Sequence, residues 1–212
     1  MLIQTPVKHT GPFAPILRDV GRHGAEFQRY LRNHDYEVGQ GHIRFGKARI
    51  DWRGAYSNQI IRADGSVQDL GVDENTWVTE GLAYLLGAGF GNAGAQATWY
   101  NAISSTNTTP LTTWTAANYA SNATEITTGY SEASRPEWND AAVVGTTKSF
   151  SARAEFTATG SAMNVWGVAL LSDSTKGGTS GVLASAEKRS GVATIAVGEK
   201  FATGFFLTLN AA

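Results

Sequence analysis

From Ala95 to the C-terminus the chain alternates apolar and polar residues with period two, and this alternation constrains the fold more than any other feature. The cleanest stretch is SFSARAEFTA (149–158). Phe150, Ala152, Ala154, Phe156 and Ala158 fall on one face, and Ser151, Arg153, Glu155 and Thr157 on the other. Successive side chains of a strand point to opposite sides of its sheet, so this pattern describes a strand with one buried and one wet face. ATWYNAIS (97–104) sets Trp99 and Ile103 in phase, and ATEITTGY (123–130) does the same for Ile126 and Tyr130. MNVWGVALLS (163–172) is apolar on both faces and belongs at the centre of a sheet. VLASA, ATIAV and FATGFFLTL complete the series, the last with Phe201, Phe205, Leu207 and Leu209 in phase. Turn-rich runs such as SDSTKGGTSG (172–181) separate them. About seven short strands without helices between them predict a mainly β chain, an antiparallel β-sandwich or jelly roll. A chain of 212 residues buries about 70% of its extended surface, enough for one substantial core.

The preceding residues read differently. Pro6, Pro12 and Pro15 discourage helix and central strand, and no period is sustained up to Gly24. AEFQRYLRNH (25–34) allows a short helix with Phe27, Tyr30 and Leu31 on one side. YEVGQGHIRFGKARIDW (36–52) alternates loosely, with Ile43, Phe45 and Ile50 apolar. NQIIRADGSVQDLG (58–71) predicts a hairpin, because Asp64-Gly65 supplies a positive-φ turn between two strand-like runs. TWVTEGLAYLL (76–86) predicts one helix: Asn75 or Thr76 caps it, Val78, Leu82 and Leu85 form its stripe, and Gly87 stops it. The resulting division is a basic N-terminal arm with a hairpin (1–75), a short helix and Gly-rich connector (76–94), and a self-sufficient sandwich (95–212).

Charge supports that division. Residues 1–56 hold nine Lys or Arg against five Asp or Glu, a balance of +4, while the remainder carries −5. All four histidines, His9, His23, His34 and His42, lie in the basic part. The asymmetry points to an arm made for an acidic partner surface. The charge is too thinly spread for direct contact with nucleic acid, which demands a clustered basic stripe, so the partner expected is a protein. Arg and aromatic residues are the usual interface anchors, which singles out Arg44, Lys47, Arg49, Trp52, Arg53 and Tyr56. The competing reading of Trp52 and Tyr56 is packing against their own sandwich.

Catalytic and cofactor signals fail their context tests. The absence of cysteine excludes disulfides, thiolate metal sites and a cysteine nucleophile, and suits synthesis in a reducing cytoplasm. No run approaches 18 apolar residues, so no membrane-spanning helix is expected, and the first twenty residues lack the form of a secretory signal. Gly89-Phe90-Gly91-Asn92-Ala93-Gly94 matches G-x-G-x-x-G, but with a helix before it and a strand after it, the reverse of a dinucleotide site. Gly177–Gly181 lacks the lysine of a P-loop. The histidines have no metal-ligand spacing, there is no G-x-S-x-G, and Glu132, Glu137 and Asp140 read as a solvated loop rather than a carboxylate pair. No metal, cofactor or enzymatic reaction is expected.

Three ordered segments carry a resemblance. TEGLAYLLGAGFGNAGAQATWYNAIS is followed by LTTWTAANYASNATEITTGYSEASRPEWNDAA and then by VWGVALLSDSTKGGTSGVLASAE. This order of a T-E-G-L helix, a T-W-Y strand, a W-T-A-A-N-Y segment, a Y-x-E-A-x-R-P-x-W segment and a G-G-T-S-G turn resembles virion structural proteins of tailed bacteriophages. It covers about residues 76–212. The resemblance implies a head decoration (cement) or minor capsid protein, made in the bacterial host cytoplasm and placed on the capsid surface. It implies a homo-oligomer, expected as a trimer, with the arm residues against the major capsid protein and no membrane partner. The alternative it implies is a tail or fibre-associated protein contributing to host attachment, for which Trp114, Tyr119, Tyr130 and Trp138 could line outer loops; the competing reading, favoured for at least two of them, is core filling.

Overall fold

Two long strands organise the larger sheet of the computed structural model, which describes residues 36–39, 42–45, 48–91 and 94–211. β3 (Ala48–Ile61) and β13 (Lys200–Ala211) pair antiparallel from Ile61↔Lys200 to Ile50↔Ala211. Each carries two short strands on its other edge. β2 (His42–Phe45) and β4 (Val67–Glu74) follow one another along β3, and β8 (Thr147–Lys148) and β10 (Ala154–Thr157) along β13. β1 (Tyr36–Gly39) extends the sheet beyond β2. The smaller sheet runs β5 (Thr76–Trp77), β12 (Leu183–Ile195), β11 (Met163–Leu171), β6 (Tyr100–Ser104). β7 (Asn139–Asp140) and β9 (Phe150–Ala152) form a separate pair. The described residues are thus mainly β, in antiparallel sheets, with helices α1 (Thr79–Phe90) and α2 (Ala116–Asn122).

One apolar layer joins the two sheets. Trp52, Tyr56 and Ile60 from β3, Phe201 and Phe205 from β13 and Phe156 from β10 meet Ile103, Val165, Val168, Leu170 and Ile195 from the smaller sheet. Trp77 stands edge-on to both Trp52 and Phe205, with ring centroids 5.9 and 6.0 Å apart. A second cluster lies on the other side of the smaller sheet, where Val78, Trp114, Ala116 and Tyr119 pack on Ala169, Leu171, Leu183 and Ala186. That cover explains why MNVWGVALL is apolar on both faces. Glu80 secures it: its Oε2 accepts the backbone N–H groups of Ala116 and Leu183, both at 2.7 Å, tying α1 to the start of α2 and to β12. α1 also approaches β12 closely, since a Cβ on Gly81 would fall 2.2 Å from the Ala184 carbonyl oxygen.

The two flanks between the sheets are closed differently. On one, the chain crosses from β4 in the larger sheet to β5 in the smaller one. On the other, residues 123–140 run across the gap, making single bridges Ser104↔Glu125, Tyr100↔Glu137 and Tyr130↔Ala158. Trp138 donates its indole N–H to the Phe205 carbonyl at 3.1 Å. At the heart of this segment Arg135 is fully buried and forms a two-pronged pair with Glu125, at 2.8 and 2.7 Å. Its remaining donors hold the 172–181 turn through the carbonyls of Asp173 and Gly178. Burial works against this guanidinium's charge, but the Glu125 carboxylate outweighs it and its pKa is raised.

The Asp64-Gly65 hairpin forms as expected, with Gly65 at φ 83° and Asp64 accepting the Ser66 N–H. Elsewhere the structure departs from the sequence reading. The division at residues 75 and 95 does not follow the sheet, because β3 lies at its centre. There are two helices among the described residues rather than one: α2 buries Ala116 and Tyr119, Thr115 and Asn118 form its capping box with Asn118 Oδ1 accepting the Thr115 N–H at 2.9 Å, and Glu80 holds its first turn from outside. α1 starts at Thr79 because Thr76 and Trp77 pair with β12 instead. SFSARAEFTA breaks at Arg153, whose guanidinium turns to the Ser57 carbonyl and hydroxyl, leaving Ala152 exposed. VLASA and ATIAV belong to one strand, β12, and 123–130 makes bridges rather than a ladder. The short helix expected at 25–34 lies outside the described residues.

Two outcomes follow from this arrangement. Removing residues 1–56 takes away nine of the 14 residues of β3, so the shortened chain is expected to lose cooperative thermal unfolding, measured by circular dichroism, rather than to leave a folded sandwich. Arg135→Ala leaves Glu125 buried without a counter-charge and is expected to cost about 3–5 kcal/mol in urea unfolding. Adding Glu125→Gln should recover part of that loss.

Candidate interaction surface

The register at the start of the larger sheet sorts the expected contact residues. Glu37, Arg44 and Arg49 are direct cross-strand partners in one row over β1, β2 and β3. Gly39, His42, Asp51 and Asn210 make the next row on that face. Strand alternation places the exposed Arg53 on the same face. The opposite face has the rows Tyr36, Phe45, Ala48 and Val38, Ile43, Ile50, Ala211, and it continues into the face that carries Trp52 and Tyr56. The loose alternation of residues 36–52 therefore produces a three-stranded ribbon with a charged face and an apolar face.

Trp52 and Tyr56 are corrected. Trp52 is 7% exposed and Tyr56 is 0% exposed, both inside the layer between the sheets. The Tyr56 hydroxyl lies 2.9 Å from Ser185 Oγ on the facing sheet, and burial pushes its pKa well above the usual tyrosine range. These two residues pack between the sheets rather than lying on the exposed face. Arg44, Arg49 and Arg53 share a face; Lys47 lies outside the described residues. His42, absent from the sequence-based set, joins that face, and the period-two pattern around Ile43 and Phe45 was the signal that could have found it.

The other groups weighed from sequence are dispersed. Glu132 accepts the Thr157 N–H at 3.0 Å, Asp140 pairs with Lys148, and Glu137 bridges to β6 through its backbone. They form no shared cleft. Among the described residues no three His, Asp or Glu side chains come together as metal ligands, and no helix is long and apolar enough to cross a membrane. The G-x-G-x-x-G run begins in the last turn of α1, where the Gly91 N–H bonds the Gly87 carbonyl. A helix C-terminus presents carbonyl oxygens and repels a phosphate.

The motifs behind the resemblance are occupied by packing. Trp114 lies edge-on to Tyr119 at 6.3 Å, and Tyr130 to Phe156 at 5.2 Å. Trp114, Tyr119 and Tyr130 are buried, and Trp138 is half-buried against Phe205. None of the four is free on an outer loop as the host-attachment alternative expects. Glu80, Gly81 and Arg135 have the structural roles given above. No protein-family model matches the chain, and no curated protein matches it.

Trp52→Ala is expected to destabilise by about 3–5 kcal/mol, as for truncation of a core aromatic. Arg53→Ala should shift stability by no more than about 0.5 kcal/mol. Denaturant unfolding of both variants checks the assignment of opposite faces.

Proposed function

We propose that this chain is a virion structural protein of a tailed bacteriophage, a capsid decoration or minor capsid protein that binds and stabilises the head lattice. One observation carries the reading: Arg44 and Arg49 stand in register on the same face as the exposed Arg53, on a ribbon at the margin of the larger sheet. The partner is the major capsid protein, met through an acidic surface. The body is read as a β-sandwich of the jelly-roll kind, facing outward on the capsid as a homotrimer and made in the host cytoplasm. The reading needs no reaction, cofactor, nucleic acid or membrane. A protein that binds only the assembled lattice stabilises it by mass action. Several copies around a symmetry axis add avidity to a modest contact. The order of short motifs over residues 76–212 supports the phage assignment, and the burial of Trp114, Tyr119 and Tyr130 favours the capsid over the host-attachment alternative.

The experiment is co-sedimentation of the purified full-length protein with phage capsids that lack it. The wild type should bind, with affinity falling as salt rises. The variant Arg44→Glu/Arg49→Glu/Arg53→Glu should lose at least about tenfold in affinity, the scale of one or two lost charge contacts. Undiminished binding by a folded triple variant would refute the ribbon as the contact, and failure of the wild type to bind any capsid would remove the proposed function.

A further inference from the structure

The layer between the sheets also holds a set of polar groups that capsid binding does not use. Ser185, Glu187 and Arg189 follow each other at every second position of β12 and are all buried. Asn58 on β3 donates to Glu187 Oε1 at 3.0 Å and accepts the Thr203 hydroxyl of β13 at 2.7 Å. The charged or titratable groups facing Glu187 are Asp73 from β4, Arg189 from its own strand and Tyr56 from β3; β13 offers the neutral Thr203, and β11 pairs Val168 with it. Glu187 Oε2, Asp73 Oδ2 and Arg189 Nη1 have no hydrogen-bond partner, and Arg189 Nη1 stands 3.6 Å from Asp73 Oδ2.

One guanidinium here faces two carboxylates. With both ionised, the site would hold a net buried negative charge, which a low-dielectric interior resists. Asp73 is the carboxylate that stands 3.6 Å from Arg189, and its Oδ1 also accepts the Ser190 N–H at 3.2 Å. That N–H is available because the β11–β12 register shifts between Val165↔Ala193 and Gly167↔Lys188, a bulge that contains Arg189 and Ser190. Glu187 is the carboxyl left to stay neutral. Burial first, and then the Asp73 charge, push its pKa well above the ordinary value, against the opposing pull of Arg189 and Asn58.

Asp73 is also the point where β4, about to cross to the smaller sheet, is tied to β12. We propose that Asp73, Glu187 and Arg189 form a proton-dependent latch on the crossing strand, closed while Glu187 is neutral and loosened once it ionises. The sign follows from linkage. Above the ordinary carboxylate value the unfolded chain has released a proton that the folded chain retains. Stability from this group is therefore complete only below the ordinary carboxylate value, and it falls as pH rises from there toward the folded-state value. The unfolding constant grows by up to about tenfold per pH unit across that window.

Urea unfolding of the full chain from pH 5 to pH 9 tests this with wild type, Glu187→Gln and Asp73→Asn. Glu187→Gln cannot lose the proton, so the ratio of the wild-type unfolding constant to the variant's should climb with pH. A ratio that stays constant, as a purely structural role would give, overturns the latch. Should Glu187→Gln not fold, Asp73→Asn decides: it lets Glu187 ionise against Arg189, so its pH dependence should be shallower than the wild type's, and parallel profiles overturn the proposal.

Discussion

The pairing of β3 with β13 is the constraint on which the rest of the structure depends. The partners lie about 150 residues apart in the chain, and between them they supply Trp52, Tyr56, Ile60, Phe201, Phe205 and Leu209 to the inner face. The short strands of the larger sheet take their positions from the outer edges of these two. The smaller sheet in turn finds its apolar partner in the face they create, and the Tyr56 hydroxyl reaches across to Ser185. Such non-local pairing forms only after a long loop has been closed, so the N-terminal residues and the last strand act as one unit.

Burial of polar groups sets the second level of organisation. Arg135 enters the interior with a carboxylate on one side and carbonyls on the other, so its charge is matched and it orders two segments together. The Asp73, Glu187 and Arg189 set is incompletely matched and lies where the chain changes sheets. A matched buried ion confers rigidity, whereas a mismatched one makes stability answer to pH. The two flanks of the same layer thus differ in kind: one is pinned by a full set of hydrogen bonds, the other is tuned by a proton.

The charged ribbon fits a molecule with a stiff body and a separate contact surface. Its apolar face runs on from the core and its other face bears the row of Glu37, Arg44 and Arg49. Attachment through a sheet margin leaves the rest of the body free of constraint from the partner.

Much of the architecture was legible in local pattern. Period two marks β10 and β13, the run that is apolar on both faces marks β11, the Asp64-Gly65 turn marks the β3–β4 hairpin, and the stripe of Val78, Leu82 and Leu85 marks α1. The charge asymmetry and the alternation around Ile43 and Phe45 foreshadow the ribbon. Other features were hidden because their causes lie far away in sequence. Glu80 ties α2 to β12 only in the folded chain, where it meets Ala116 and Leu183, and β12 runs on through charged residues because Glu187 and Arg189 have partners on the other sheet. Trp52 and Arg53 look equally suited to an interface until β13 covers one face of β3 and not the other. By itself, then, the sequence determined the strand-rich character, the turns and which residues share a face, since these follow from neighbours a few positions apart. Only the tertiary structure decided which face is covered and which strands pair, because burial and pairing are properties of contacts that the chain makes across its whole length.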